Sequence, residues 1–259
     1  MTMTGHDVPR PGLARRACVY VLEARAQFLT LARTPGFTIP TLVFPIMFYV
    51  FFGVVMRFSP LAPTFLLATY GVFGLIGPSL FGFGVGFAVE RDSGALLLKR
   101  TTPMPVAAYL LARVVAALLF GMVIVIGLFL LGALAAEVTL YRWQWFTLAG
   151  VVLSSVVPFC ALGLAIGAWV KAQSAVAIVN LVYLPMAVLS GLWMPISLLP
   201  SFAQDLAVAF PAYHQSQLAL KVLGMDQGGS VGVHVLMMGV FVLVSLVVAG
   251  LGFRRVGRM

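Results

Sequence analysis

Six long stretches without Asp, Glu, Lys or Arg dominate the pattern of this chain. Each can hold the ~20 apolar residues that a helix needs to cross the hydrocarbon core of a bilayer. Because backbone polar groups in that core must bond within their own segment, these stretches predict helices. The third is extended on its cytoplasmic side through Arg113. The predicted membrane helices span residues 37–56, 64–89, 106–135, 146–170, 174–194 and 231–253.

The segment before the first predicted membrane helix has a different pattern. Between residues 13 and 33, apolar side chains recur at helical spacing and the arginines lie away from that stripe. Such a helix favours the membrane interface over a crossing. The alternative, a soluble helix packed on a domain, lacks a soluble domain to receive it. We therefore predict a tail at residues 1–11 and an interfacial helix at residues 12–34.

The stretch between the fifth and sixth predicted membrane helices is apolar only in patches. Pro195, Pro200 and Pro211 divide it into pieces of about ten residues, which are too short to cross a membrane. Residues 195–230 are therefore predicted to form re-entrant or interfacial helices on the outer side, with a re-entrant helical hairpin as the chosen arrangement. With no internal repeat or linker, residues 1–259 are predicted to be one all-α integral membrane domain.

The positive charge of the chain is distributed unevenly. The sequence has 16 Lys and Arg against 7 Asp and Glu, a net charge of +9. With six crossings and both termini in the cytoplasm, the outer side holds only Arg57, Arg142 and Lys221, which leaves 13 of the 16 inside. This asymmetry is typical of multi-pass proteins of the cytoplasmic membrane, and it argues against binding to nucleic acid.

Residue sets for catalysis are absent from the sequence. It has no HExxH, no CxxC, no paired carboxylates within a span, and no Gly-Lys dipeptide of the kind that ends a phosphate-binding loop. Cys18 and Cys160 fall in different environments, so neither a disulfide nor a metal site is expected. His234 is the one ionisable residue in the charge-free stretches, which disfavours a proton-coupled carrier. We expect a chain that is not an enzyme and holds no metal or cofactor of its own.

The second predicted membrane helix is rich in glycine. Gly82 and Gly86 have the GxxxG spacing that lets two helix backbones approach closely, within the chain or at a dimer seam. A nucleotide-binding loop is excluded because the glycine spacing differs from GxGxxG and no βαβ context surrounds it.

A concentrated charged segment follows these glycines at residues 90–100. Asp92 or Ser93 can cap a short helix, and exposed leucines between charges are typical of a docking surface for a partner. An ordinary positive-inside loop explains the basic residues but neither the acidic residues nor the leucines. The predicted docking residues are Glu90, Arg91, Asp92, Gly94, Leu96, Leu97, Leu98, Lys99, Arg100 and Pro103.

This order of motifs resembles the membrane subunits of type-2 ABC exporters, the ABC-2 type permeases. Their loop after the second helix reads roughly Glu-Arg-Glu-x-Gly-Thr-Leu and is followed by Thr-Pro, which is similar to residues 90–96 and 102–103 here. Their stretch after the fifth helix is similar to residues 191–195, 199–200 and 210–213. One departure is the uninterrupted leucine triplet at residues 96–98, where the family alternates leucines with charges. The docking helix can therefore be rotated or displaced relative to the family.

The resemblance implies the permease subunit of a bacterial ABC exporter. Two permease copies, a homodimer or a heterodimer with a similar permease, would bind two ABC ATPase subunits, which supply the sites for ATP and Mg. Residues 90–105 would be the cytoplasmic coupling loop, and the helix at residues 93–100 would be pushed when the ATPases close. Stand-alone secondary transport is an alternative, disfavoured by the missing charges in the spans. A membrane scaffold without transport would have no need of the docking helix.

The cargo is predicted only by class. Phe is abundant (20) while Trp and Tyr are scarce (4 and 7), which favours an amphipathic small molecule, a drug or a lipid over the alternative of a polysaccharide or other polar cargo. Asn180 is expected to form an interhelical hydrogen bond in preference to a cargo contact. The candidate residues of the cargo path are Phe73, Phe81, Asn180 and Tyr183.

Overall fold

The computed structural model describes residues 13–100 and 105–256, and within these ranges the elements are helices without any strand. A 3₁₀ turn lies at Ile196–Leu198. The helices are α1 (Leu13–Ala32), α2 (Pro35–Val55), α3 (Ala62–Asp92), α4 (Ala95–Arg100), α5 (Val106–Leu134), α6 (Arg142–Trp169), α7 (Ala172–Leu189), α8 (Ser201–Ala207), α9 (Pro211–Leu223) and α10 (Val231–Val256).

Six of these helices are long and apolar enough to cross a membrane, namely α2, α3, α5, α6, α7 and α10. The predicted all-α fold with six spans is thus confirmed for the described part of the chain. Four helix ends differ from the prediction by three residues or more. The second span continues through Asp92, so residues 90–92 are helical and do not belong to a loop. The fifth span ends at Leu189 because Gly191 adopts a left-handed φ of +73°, which glycine accepts without strain.

The bundle is organised around α3. Of the apolar window of α3, 78% is buried, against 17% for α2 and 22% for α7. Glycines on α3 permit this close packing: a Cβ at Gly74 would lie 2.7 Å from Ile124 on α5, and one at Gly71 would lie 3.2 Å from Val152 on α6. As a result, α2, α7 and α10 are left with broad exposed apolar faces.

The predicted interfacial helix is observed as α1, which packs along α5. The Phe28 and Phe120 rings lie 5.3 Å apart, and the Thr38 hydroxyl of α2 donates to the Leu31 carbonyl at 2.7 Å. Its position at a membrane interface stays a prediction, and the predicted tail at residues 1–11 lies outside the described residues.

Residues 195–230 form short pieces, as the prolines predict. Both α8 and α9 begin directly after or at a proline, and α9 ends where Gly224 adopts a φ of +69°. One side of this segment is buried, because α9 packs against α3, α6 and α10. Phe202 on α8, by contrast, is 69% exposed. The re-entrant placement of the segment in the membrane stays a prediction.

Candidate functional site

The end of α3 carries Glu90, Arg91 and Asp92, and each side chain contacts a different helix. We call these three residues the helix-end anchor. Glu90 faces α5, where its Oε1 lies 2.6 Å from Nη2 of Arg113 and its Oε2 accepts a hydrogen bond of 2.9 Å from the Tyr109 hydroxyl. Arg113 and Tyr109 are only 6% and 5% exposed. The first contact of the anchor is therefore a buried ion pair with both carboxylate oxygens bound.

The predicted glycine pair accommodates the guanidinium of Arg113. Its Nη1 donates to the Gly82 carbonyl, and a Cβ at Gly86 would lie 2.7 Å from the same nitrogen. α3 is wound as a π-helix at Phe81–Val85, and such turns disturb the regular ladder and are frequent at functional sites. The two glycines thus serve contacts inside this chain. A role at a dimer seam stays a prediction.

Arg91 binds the end of α6. Its Nη1 donates to the carbonyls of Gly167 (2.9 Å) and Ala168 (2.8 Å), and its Nη2 donates to the carbonyl of Val170 (2.8 Å). The last carbonyls of a helix have no partner within it, and they carry the negative end of the helix dipole. A guanidinium at this position supplies both the missing donors and the opposite charge.

Asp92 binds the start of α7. Its Oδ2 accepts a hydrogen bond of 2.7 Å from the Ala172 N–H, and its Oδ1 lies 2.8 Å from Nη2 of Arg91. A carboxylate is favourable at a helix N-terminus for the same reasons of unpaired donors and dipole. Asp92, one of the two predicted caps of the short helix, instead caps α7, because its carboxylate reaches the Ala172 N–H.

Gly94 separates the anchor from α4. Its φ of +77° turns the chain sharply, and no atom lies within 4 Å of a Cβ built there. Beyond the turn, Leu96 packs against the core, whereas Leu98 is 73% exposed. Leu97, Lys99 and Arg100 belong to α4, but their side chains, like Pro103, lie outside what the structure describes. The leucine triplet thus has at least one inward and one outward member, and its docking role stays a prediction.

Three of the four candidate path residues lie together. The rings of Phe73 and Tyr183 are stacked at 5.2 Å, Phe81 meets Tyr183 edge-on at 6.2 Å, and the Tyr183 hydroxyl donates to the Phe73 carbonyl at 3.3 Å. Asn180 is half-buried about one turn earlier on α7. Within the described residues its amide forms no hydrogen bond, so the expected interhelical bond is not found among residues 13–100 and 105–256.

Several residues of this site escaped the sequence-based prediction. Tyr109 and Arg113 are four residues apart on α5 and therefore share one helix face. This spacing could have indicated a site, but the prediction treated the residues up to Arg113 only as an extension of the helix. α3 and α6 also meet closely at Gly163 and Gly167, a glycine pair that was not predicted. A Cβ at Gly167 would lie 2.7 Å from the Gly84 carbonyl, and one at Gly163 would lie 3.0 Å from the Leu80 carbonyl. Their GxxxG spacing was the available signal.

The candidate site is structural and electrostatic, without a metal-binding arrangement in the parts described. No group of three or more His, Cys, Asp and Glu side chains converges within residues 13–100 and 105–256. The site can transmit displacement, because one short segment contacts α5, α6 and α7 through charged hydrogen bonds.

Six apolar helices, one of them buried and rich in glycine, define a multi-pass membrane protein. The ABC-2 type transporter family matches residues 20–224, and the chain belongs to this family. It is also similar to a protein of Bacillus subtilis (strain 168) named "Putative transport permease YvfS". The two are 28% identical over 214 residues, which covers 80% of this chain and 85% of that protein. The resemblance to ABC-2 type permeases is thereby confirmed, and the chain is a transport permease subunit.

Proposed function

We propose that the chain is the permease subunit of an ATP-driven exporter that couples to a separate ABC ATPase through α4. The observation that carries the proposal is the junction at Gly94, where an anchored helix end meets a short helix with an exposed leucine. Family membership supports the class of transporter, and the geometry supports the coupling route.

Movement of α4 would be transmitted through the helix-end anchor. A push on α4 acts on the end of α3, since they are joined by the single turn at Gly94. From there, Glu90 acts on α5, Arg91 on α6 and Asp92 on α7 through the contacts described above. ATP binding can drive such a change only if the ATP-bound partner favours one arrangement of the helices, by about 5.5 kcal/mol for a full switch.

The charged end of the bundle is proposed to face the cytoplasm. Arg91, Arg113 and Lys171 lie at this end, near the start of α7 and the end of α6. Basic residues accumulate on the cytoplasmic side of membrane proteins. This orientation puts both termini, α1 and α4 on the side where an ATPase has access to ATP and Mg, in the cytoplasmic membrane of a bacterium.

The exposed face of α7 supports a second permease copy or a cargo path beside it. Asn180 lies next to Leu181 and Val176, which are 73% and 50% exposed. An amide facing lipid without a hydrogen bond is unfavourable, so such residues mark helix contacts or substrate routes. We propose a homodimer whose cargo path runs near Asn180, Tyr183, Phe73 and Phe81. This largely aromatic surround suits an amphipathic small molecule, a drug or a lipid.

Co-expression with the ATPase encoded beside it tests the proposal. We expect the two chains to purify as a complex, and reconstituted vesicles to move an amphipathic fluorescent probe only when ATP is present. The matched control is the same complex carrying an ATPase variant that binds but does not hydrolyse ATP. Transport by the permease alone, or equal transport with the inactive ATPase, would contradict the proposed function.

A further inference from the structure

Two buried histidines at the end of the bundle opposite the anchor contact each other directly. His214 on α9 is 1% exposed, and His234 on α10 is 4% exposed. Their Nδ1 atoms are 2.9 Å apart. Two nitrogen lone pairs repel each other at this distance, so one of the two Nδ1 atoms carries a proton and donates it to the other.

The outer nitrogens of the two rings decide which one donates. His214 Nε2 lies 3.0 Å from the Val208 carbonyl, a hydrogen-bonding distance that requires a proton on Nε2. His214 Nδ1 is then the acceptor, and His234 Nδ1 is the donor. His234 Nε2 is left without a proton at 3.4 Å from the Gly228 carbonyl. The neutral pair therefore holds His234 in the Nδ1–H tautomer.

We propose that the His214–His234 pair, which joins α9 to α10, is a binding site for a single additional proton. His234 Nε2 is the ring nitrogen of the pair that can accept this proton while the contact between the rings is kept, and its N–H would then face the Gly228 carbonyl. A second would have to go to His214 Nδ1, and two N–H groups would then face each other. Further acidification therefore separates α9 from α10.

The surroundings of the pair oppose a second charge. Tyr213 is the titratable residue in ring contact, at 5.4 Å from His214 and 6.2 Å from His234, and Phe241 of α10 lies 6.3 Å from His214. Among the described residues of α3, α6, α9 and α10, no carboxylate, Lys or Arg hydrogen bonds to either ring. Burial lowers the pKa of His214 below its ordinary value of 6.5, and the neighbouring His234 adds to this effect. Because folding weakens proton binding at His214, acidification below about pH 6.5 reduces the stability of the contact.

The loop that meets His234 is held in place independently of the pair. Gly228 and Gly229 have φ angles of +100° and +84°, and a Cβ at Gly229 would lie 3.0 Å from His234 Nε2. Asp226 accepts a hydrogen bond of 3.2 Å from the Gly228 N–H and pairs with Lys221, and the hydrogen bond from Lys221 lowers the pKa of Asp226. The Gly228 carbonyl is thus fixed beside the nitrogen that takes the first proton. The contact between the two rings is independent of the proposed transport function.

Nuclear magnetic resonance of the imidazole nitrogens tests the proposal directly. The chain has 3 histidines, so His6→Ala leaves only the pair visible after ¹⁵N-histidine labelling of the full chain in lipid nanodiscs. At pH 8 we expect one ring as the Nδ1–H tautomer and the other as Nε2–H. Between pH 8 and pH 5 the pair should take up one proton. Two Nε2–H tautomers, uptake of two protons with independent midpoints near pH 6.5, or no uptake at all would overturn the proposal.

Two variants in the same background sharpen the test. His214→Leu removes the acceptor for His234 Nδ1, so His234 should revert to the Nε2–H tautomer that free histidine prefers. Tyr213→Phe is the matched control, because it keeps the ring and the helix and should leave the Nδ1–H signal in place. Persistence of the Nδ1–H tautomer in His214→Leu would show that the pair does not set it, and would contradict the assignment.

Discussion

Gly94 divides one charged segment into two parts with opposite surroundings. Before it, Glu90, Arg91 and Asp92 each bind a neighbouring helix of the same chain. After it, α4 presents Leu98 with 73% of its surface exposed. The difference arises from what the side chains before Gly94 reach: α5 offers a cation, α6 offers carbonyls and α7 offers an N–H. Charges near the end of a membrane helix can therefore hold the bundle together while Leu98, a few residues further on, is largely exposed.

The largest effect is expected from Arg113→Met. The substitution takes the guanidinium of Arg113 away from the partly buried Glu90 carboxylate, and breaking an ion pair in this way costs about 3–5 kcal/mol when the pair is buried. Thermal unfolding in detergent should move to much lower temperature. The double variant Glu90→Gln with Arg113→Met should recover part of the loss, since the side chain at position 90 is then neutral. If Arg113→Met is as stable as the natural protein, the contact between Glu90 and Arg113 does not stabilise the bundle.

A smaller loss is expected from Arg91→Ala. Three carbonyls at the end of α6 would lose a charged donor, and a hydrogen bond to a charged group contributes about 1.5–3 kcal/mol. ATP-driven transport should fall while co-purification of the ATPase is retained, because α4 is untouched. Arg142→Ala, at an exposed position where α6 begins, serves as the control and should change stability by less than about 0.5 kcal/mol. Loss of the ATPase from Arg91→Ala would mean that the anchor itself binds the partner.

Gly94→Ala should have a still smaller effect on stability. The added Cβ meets no atom, so the cost comes from the positive φ alone and is about 1 kcal/mol. The ratio of transport to ATP hydrolysis should fall, because the direction of α4 relative to α3 changes. Gly150→Ala on α6 also meets no atom but has ordinary helical φ, so it should be neutral or slightly stabilising. Identical behaviour of the two variants would indicate that the turn at Gly94 carries no coupling.

The sequence was sufficient for the helices and insufficient for their contacts. Long apolar stretches predict spans because the thickness of the bilayer sets the length of a helix. The partners of Arg91 and Asp92, however, lie 76 to 80 residues away, and no local pattern specifies such a distance. The π turn in α3 also rotates Gly82 and Gly86 in a way that regular helical spacing does not predict. The His214–His234 contact is hidden for the same reason, since it joins two helices across a loop.

We propose that α4, and not the helix-end anchor, contacts the ATPase. The most direct test is the yield of co-purified ATPase for Leu98→Asp compared with Ser93→Asp. Both positions are exposed, and they receive the same charge on opposite sides of Gly94. We expect Leu98→Asp to lower the yield of the complex at least about tenfold without changing thermal unfolding, a difference that corresponds to about 1.4 kcal/mol of binding free energy. Ser93→Asp should retain the complex. An undiminished yield for Leu98→Asp would contradict the proposed contact between α4 and the ATPase.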